Sequence, residues 1–176
     1  MKQFYKRALA YLIDCVLCYS VVMLLIQWLL ISNIRESIGM TDSWFEQSWN
    51  LQSYVWITIS IPVWLYFTYF DSVRSKGTYG KRVMGLTVLD NNNQRIGLWK
   101  SFQRAILKLL PWELSHVGII FPTPMYFEEE PSVRVLSIVA ITLLIAYTLS
   151  IILNSDNRSL YDNLLRTKVI KEGSLV

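Results

Sequence analysis

Asp14 is the residue whose type and position most demand a chemical reason. It is the one charged residue between Ala8 and Ile31, an otherwise nearly continuous apolar run of about 24 residues, roughly 36 Å as a helix and long enough to cross a bilayer. A carboxyl at the centre of a membrane helix costs about 2.5–3.5 kcal/mol on insertion scales, and less toward the end, where Asp14 lies. A group kept there either titrates and coordinates an ion, or locks helices together through a polar contact. Its candidate partners are Lys108, Glu113 and His116, the other ionisable residues at membrane depth, or a water-filled cavity. Glu113 and His116 are three apart and face the same way on a helix, and a buried carboxyl beside an imidazole is workable proton-relay chemistry. The competing reading makes Pro111-Trp112-Glu113 an interfacial turn with Glu113 solvated. Arg7 shares a helix face with Asp14 but lies about 10 Å from it along the axis, too far for a direct pair. It reads instead as an anchor that holds Asp162 or a lipid phosphate.

Other constellations exclude more than they suggest. One histidine rules out an intramolecular di-iron bundle site and H-E-x-x-H metalloprotease chemistry, so no metal or cofactor is expected. There is no G-x-S-x-G elbow and no catalytic triad, so the chain is not read as an enzyme. Cys15 and Cys18 lie within the first apolar run and read as small packing residues. Gly77–Lys81 invites a phosphate-loop reading, yet Arg82 follows Lys81 and Ser75 stands where the first glycine belongs. Thr78, Gly80, Lys81, Arg82 and Gly85 are better read as a loop of tight turns facing anionic head groups, where each nearby cation contributes about 1 kcal/mol.

The elements that must position these residues follow from how the apolar residues are blocked. The chain is 53% hydrophobic and 17% charged, with a mean hydropathy of +0.33, and its apolar residues fall in long runs rather than periodically. That pattern belongs to a polytopic membrane protein. The basic residues before the first run resemble a signal peptide, but the run is too long and no cleavage pattern follows Ser32, so it reads as a retained helix. Residues 8–31, 51–70 and 135–153 are clear crossings. Three crossings alone would put the two most basic regions on opposite faces, against the positive-inside rule. A weaker fourth, 105–127, resolves the conflict, with a kink or interfacial entry at Pro111. Residues 98–110 also read as an amphipathic interfacial helix, with Lys100, Arg104 and Lys108 on a four-residue repeat. With four crossings, residues 1–7, 71–104 and 154–176 face the cytoplasm. All but Arg35, Arg134 and Lys108 of the 17 Lys and Arg residues then lie inside. The net charge of +4 therefore reports topology, and nucleic acid is not an expected partner.

The expected fold is all-α: a polytopic membrane helical bundle of four transmembrane helices, in one domain over residues 1–176. A small hairpin or amphipathic segment is expected between the second and third helices. Leu86–Leu89 alternates, Asp90–Gln94 is turn chemistry and residues 95–98 return.

Three segments together resemble a known family. RALAYLID (Arg7–Asp14) opens the first helix with an arginine and an aspartate seven residues later. TYGKRVMGLTVLD (Thr78–Asp90) carries T-x-G-K-R-x-x-G-L-x-V and an acidic residue. RSLYDNLLRTKVI (Arg158–Ile170) places leucine-aromatic-aspartate, then threonine, after the last helix. The set resembles the RDD family of bacterial integral membrane proteins, named for one arginine and two aspartates. The resemblance puts the arginine on Arg7, the first aspartate on Asp14 and the second on Asp162, with Asp71 as the lesser candidate. The family's D-x-L-A-G-T is altered here, with Leu165-Arg166 in place of Ala-Gly, and its first loop glycine is moved beside Thr78. The resemblance implies transport, and in some members monovalent cation/proton exchange. The function expected is transport of a small ion or proton-coupled solute across the bacterial inner membrane by a homo-oligomer in contact with membrane lipids. The alternative is a non-transporting adaptor that binds lipids or a partner protein through its basic face.

Overall fold

The computed structural model describes residues 2–172. Met1 and residues 173–176, the outer ends of the two terminal segments expected to face the cytoplasm, lie outside the described residues.

An apolar run free of Gly and Pro has no reason to stop being helical. Helix α1 (Lys2–Ser20) passes directly into a π-helical stretch, Val21–Ile31, which ends with the Ser32 amide donating to the Gln27 carbonyl at 2.9 Å, five residues back. Two short helices follow, α2 (Asp42–Phe45) and α3 (Ser48–Val55). A π-helical turn, Trp56–Ser60, then leads into α4 (Ile61–Asp71). Helix α5 (Tyr79–Met84) starts on the Thr78 N-cap and ends at Gly85, whose φ of +63° is the left-handed cap that glycine adopts without a Cβ clash. Helix α6 is one element, Leu98–Ile120, and Pro111 lies inside it. Proline leaves the carbonyl four residues back, that of Leu107, without its helical donor. The Tyr147 hydroxyl supplies one at 2.8 Å. Helix α7 (Val135–Leu153) carries no charged residue, and α8 (Leu160–Leu164) follows it.

Among the described residues, three helical stretches are long and apolar enough to cross a membrane: Gln3–Ile31, Leu98–Phe127 and Val135–Leu153. The expected crossing over 51–70 is helical from Ser48 to Asp71, but it is rich in Trp and Tyr and is not one of the three.

The fold is not wholly α. Strands β1 (Leu86–Asp90) and β2 (Thr167–Lys171) pair antiparallel, Leu86 opposite Lys171 and Asp90 opposite Thr167. The hairpin expected after β1 is reduced to a single bridge, Leu89 to Arg95, although Asp90 does close the expected turn by accepting from the Asn92 and Gln94 amides. The longer ladder wins because β2 alternates too. Val169 joins Leu86, Val88, Ile96 and Ala10 in a buried apolar cluster.

The chain forms two compact units. One contains residues 2–17, 64–109 and 144–172, and the other residues 18–63 and 110–143.

Candidate functional site

The first unit holds Arg7, Asp14, Asp71 and Asp162, each placed by a local sequence feature. Asp14 is 1% exposed, and both its carboxylate oxygens are taken. Oδ1 accepts from the Tyr66 hydroxyl and the Gly80 amide, each at 2.8 Å, and Oδ2 accepts from the Thr78 hydroxyl at 2.6 Å. Thr78 is fixed by its second role, since its oxygen also accepts from the Lys81 amide as the N-cap of α5. The Gly80 backbone reaches Asp14 because it has no side chain: a Cβ there would lie 1.9 Å from the Ala10 carbonyl oxygen. The loop glycine is therefore a contact point for α1.

A second cluster is built from three cations and two carboxylates. Arg104, on α6, donates through Nη1 to Asp71 at 2.8 Å and through Nε and Nη2 to Asp162 at 3.0 and 2.9 Å. Its guanidinium carbon stands 5.2 Å from the centre of the Tyr161 ring. Lys81 binds the other Asp71 oxygen and Arg7 the other Asp162 oxygen, each at 2.5 Å. Asp162 is held from its own side by a capping box with Ser159 and accepts from the Thr167 hydroxyl at 3.1 Å. Burial alone would raise the Asp162 carboxyl, but Arg104 and Arg7 outweigh it and hold that group well below the ordinary range. Breaking one partner out of such a buried set costs about 3–5 kcal/mol, because the other charge is left uncompensated.

Beside these clusters lies a cavity of about 260 Å³. Arg7, Asp14, Lys81, Arg104 and Lys108 are its charged lining, and residues of α1 and α7, with Leu86, Tyr161 and Val169, line the rest. Lys108 belongs to no ion pair within 4 Å among the described residues. Its ammonium instead lies 3.6 Å from the centre of the Phe67 ring and 4.4 Å from that of Tyr11, a cation–π arrangement.

The structure thus sorts the sequence candidates. Arg7 meets Asp162, and Asp14 is held by Thr78, Gly80 and Tyr66. Thr78, Gly80 and Lys81 are buried instead of presented to head groups, because the carboxylates of α1 and α4 draw them inward. Arg82 closes its own loop, donating to the Gly77 carbonyl at 2.8 Å and the Ser75 hydroxyl at 2.7 Å. Gly85 serves as the helix cap. Lys108 lines the cavity, whereas Glu113 and His116 belong to the second unit. There Glu113 accepts from Ser60 at 3.1 Å, while Nδ1 of His116 and both amide atoms of Gln52 are buried without a hydrogen-bond partner. Gln27 donates to Thr58 at 2.7 Å in the same unit and accepts from Tyr54.

Sequence reasoning missed the centrality of Arg104, counted among the inner basic residues and on the basic repeat of residues 98–110. Its signal was its place amid the apolar residues of α6. Asp71 and Asp162 are joined through it, so the two candidates for the second family aspartate share one cation. Among the described residues, no group of three or more His, Cys, Asp and Glu could hold a metal ion.

The sequence model of the RDD family matches residues 2–166, nearly the whole chain. No curated protein and no solved structure matches it.

Proposed function

This chain belongs to the RDD family of membrane proteins, and from that premise we propose that it is a multi-pass inner-membrane carrier. Its solute is a small ion or a proton-coupled molecule, and the cavity of the first unit is the solute site. The chain crosses four times, the helical stretch from Ser48 to Asp71 being the fourth, and both termini face the cytoplasm. The positive-inside count supports that topology. One observation carries the reading: a cavity of about 260 Å³ opens among five ionisable side chains, four of which (Arg7, Asp14, Arg104 and Lys108) lie in helices apolar enough to span a bilayer. Charge kept at membrane depth around open space marks a solute or ion path. Arg7, Asp162, Arg104, Asp71 and Lys81 tie α1, α4, α5, α6 and α8 together as the clasp that any rearrangement of the site must break. Lys108, outside that clasp, is the group on which a solute charge or a transferable proton acts.

A second reading has its own support. Because both oxygens of Asp14 are filled by fixed donors, that carboxylate is built as a lock between α1 and the Thr78–Gly80 turn, as an adaptor would need. The discriminating experiment is flux from proteoliposomes holding purified protein, with Lys108→Met and Asp14→Asn beside the wild type. A carrier loses flux in Lys108→Met while remaining folded. An adaptor shows no flux at all, and Asp14→Asn then affects only its stability.

A further inference from the structure

We propose that the cavity of the first unit binds the head group of a monoanionic amphiphile, with Lys108 as its counter-ion. The proposal rests on the reading of this cavity as the solute site and names the solute's chemistry.

Charge balance sets the sign and the size of the ligand's charge. The cations are the buried Arg7, Lys81 and Arg104 and the partly buried Lys108, and the carboxylates are Asp14, Asp71 and Asp162. Each carboxylate already has its donors, and one positive charge is left over. Lys108 carries it: its ammonium faces aromatic rings and open space rather than an acid. An alkali cation entering here would meet filled carboxylates and a surplus cation. One negative charge would complete the cluster, and a carboxylate or phosphodiester on the ammonium makes a charge-assisted hydrogen bond.

The remaining walls give the ligand its second part. Beside the charged residues the lining has an apolar part, with Phe4 and Ala8 from α1 and Leu144 and Ile151 from α7. Ala8, Leu144 and Thr148 are exposed on those helices, so this rim meets acyl chains in a bilayer. A volume of about 260 Å³ equals roughly nine waters at about 30 Å³ each, below the 300–1,000 Å³ of typical drug-sized pockets. It accepts a head group and the first methylenes of a chain whose remainder leaves over the rim. A free inorganic anion would use the ammonium and waste the apolar wall. A basic pocket between membrane helices is the general setting for lipid head groups.

The test measures binding, so its failure is separate from failure of the carrier reading, which is judged by flux. Full-length protein in phosphatidylcholine nanodiscs is titrated calorimetrically at pH 6.5 with sodium decanoate, decanol and sodium acetate, empty discs being subtracted. Decanoate should bind at least tenfold more tightly than either comparison ligand. Lys108→Met should bring decanoate to within about threefold of decanol. Thr148→Trp, which narrows the rim and keeps every charge, should weaken decanoate at least tenfold and decides the matter if Lys108→Met does not fold. Phosphatidylglycerol in the disc that competes with decanoate makes the membrane's phosphodiester the source of the anion; without competition the source is a free acyl carboxylate. The proposal is overturned if Lys108→Met binds decanoate like the wild type, if decanol matches decanoate, or if acetate binds as well as decanoate.

Discussion

Replacing Gly80 with alanine should unfasten the turn that holds Asp14. The new Cβ would lie 1.9 Å from the Ala10 carbonyl oxygen and 2.8 Å from its carbon, where ordinary contact begins at 3.4 Å. The neighbour is helix backbone and cannot swing aside, so the turn must retreat from α1 by about 1.5 Å, a shift of the size that overpacking forces. Ala10 and Asp14 are one helical turn apart on the same face. The retreat therefore also stretches the Gly80 amide bond to Asp14 from 2.8 Å past hydrogen-bonding range. Losing a hydrogen bond to a charged group costs about 1.5–3 kcal/mol, and the overpacking adds about 1–3 kcal/mol. A loss of roughly 2.5–6 kcal/mol lowers the melting temperature by roughly 5–24 °C for a chain of this size. Gly97, whose added Cβ meets nothing within 4 Å, is the matched control, and its alanine variant should stay within about 0.5 kcal/mol of wild type. Thermal unfolding of detergent-purified protein by intrinsic Trp fluorescence reads all three. A Gly80→Ala protein that melts with the wild type would refute the close approach and, with it, the account of how Asp14 is held.

Four further outcomes follow from the charge cluster and the turns around it. Asp162→Asn strips Arg7 and Arg104 of a shared carboxylate and should cost about 3–5 kcal/mol, read by the same melt. Because Asp162 sits below its ordinary range when folded, the stability it lends is complete above its unfolded value of about 3.9 and is lost as pH falls below it. The wild-type melting temperature should therefore hold through the pH 8–5 range as far as this group is concerned and drop below about pH 4, with the drop reduced in Asp162→Asn. Ser159→Ala removes the capping box of α8 and should cost about 0.5–2 kcal/mol in equilibrium denaturation. Arg166 has a φ of +52°, a left-handed conformation that strains a side chain, so Arg166→Gly should raise stability by up to about 1 kcal/mol; a drop in melting temperature would contradict that strain.

The long helices were legible because their signal is local. Apolar runs report spanning segments residue by residue, and Asp14 stood out against one of them. The ladder of β1 with β2 was not legible, since its strands are separated by two long helices and neither is more than a short alternating run. The pairing of Arg7 with Asp162 was anticipated as a clasp, but Arg104 was hidden because basic residues on a membrane's inner side are ordinary. Its importance comes from meeting Asp71 and Asp162 at once, a fact of tertiary geometry. Gly80 shows the limit from the other side: the motif marked a turn, while its closeness to Ala10 depends on how α5 lies against α1. Arg166, where the resembling pattern has glycine, takes a left-handed φ of +52°, the region glycine adopts most readily.

The most direct test of the central claim is lumenal pH, read with an entrapped pH dye in proteoliposomes of the purified protein. Na⁺, K⁺, Li⁺ and decanoate gradients would be imposed in turn. The account predicts a gradient-driven pH change in at least one of them that disappears in Lys108→Met and persists in Lys108→Arg. A well-folded wild-type protein that moves no protons under any of these gradients, or a response untouched by Lys108→Met, would contradict it.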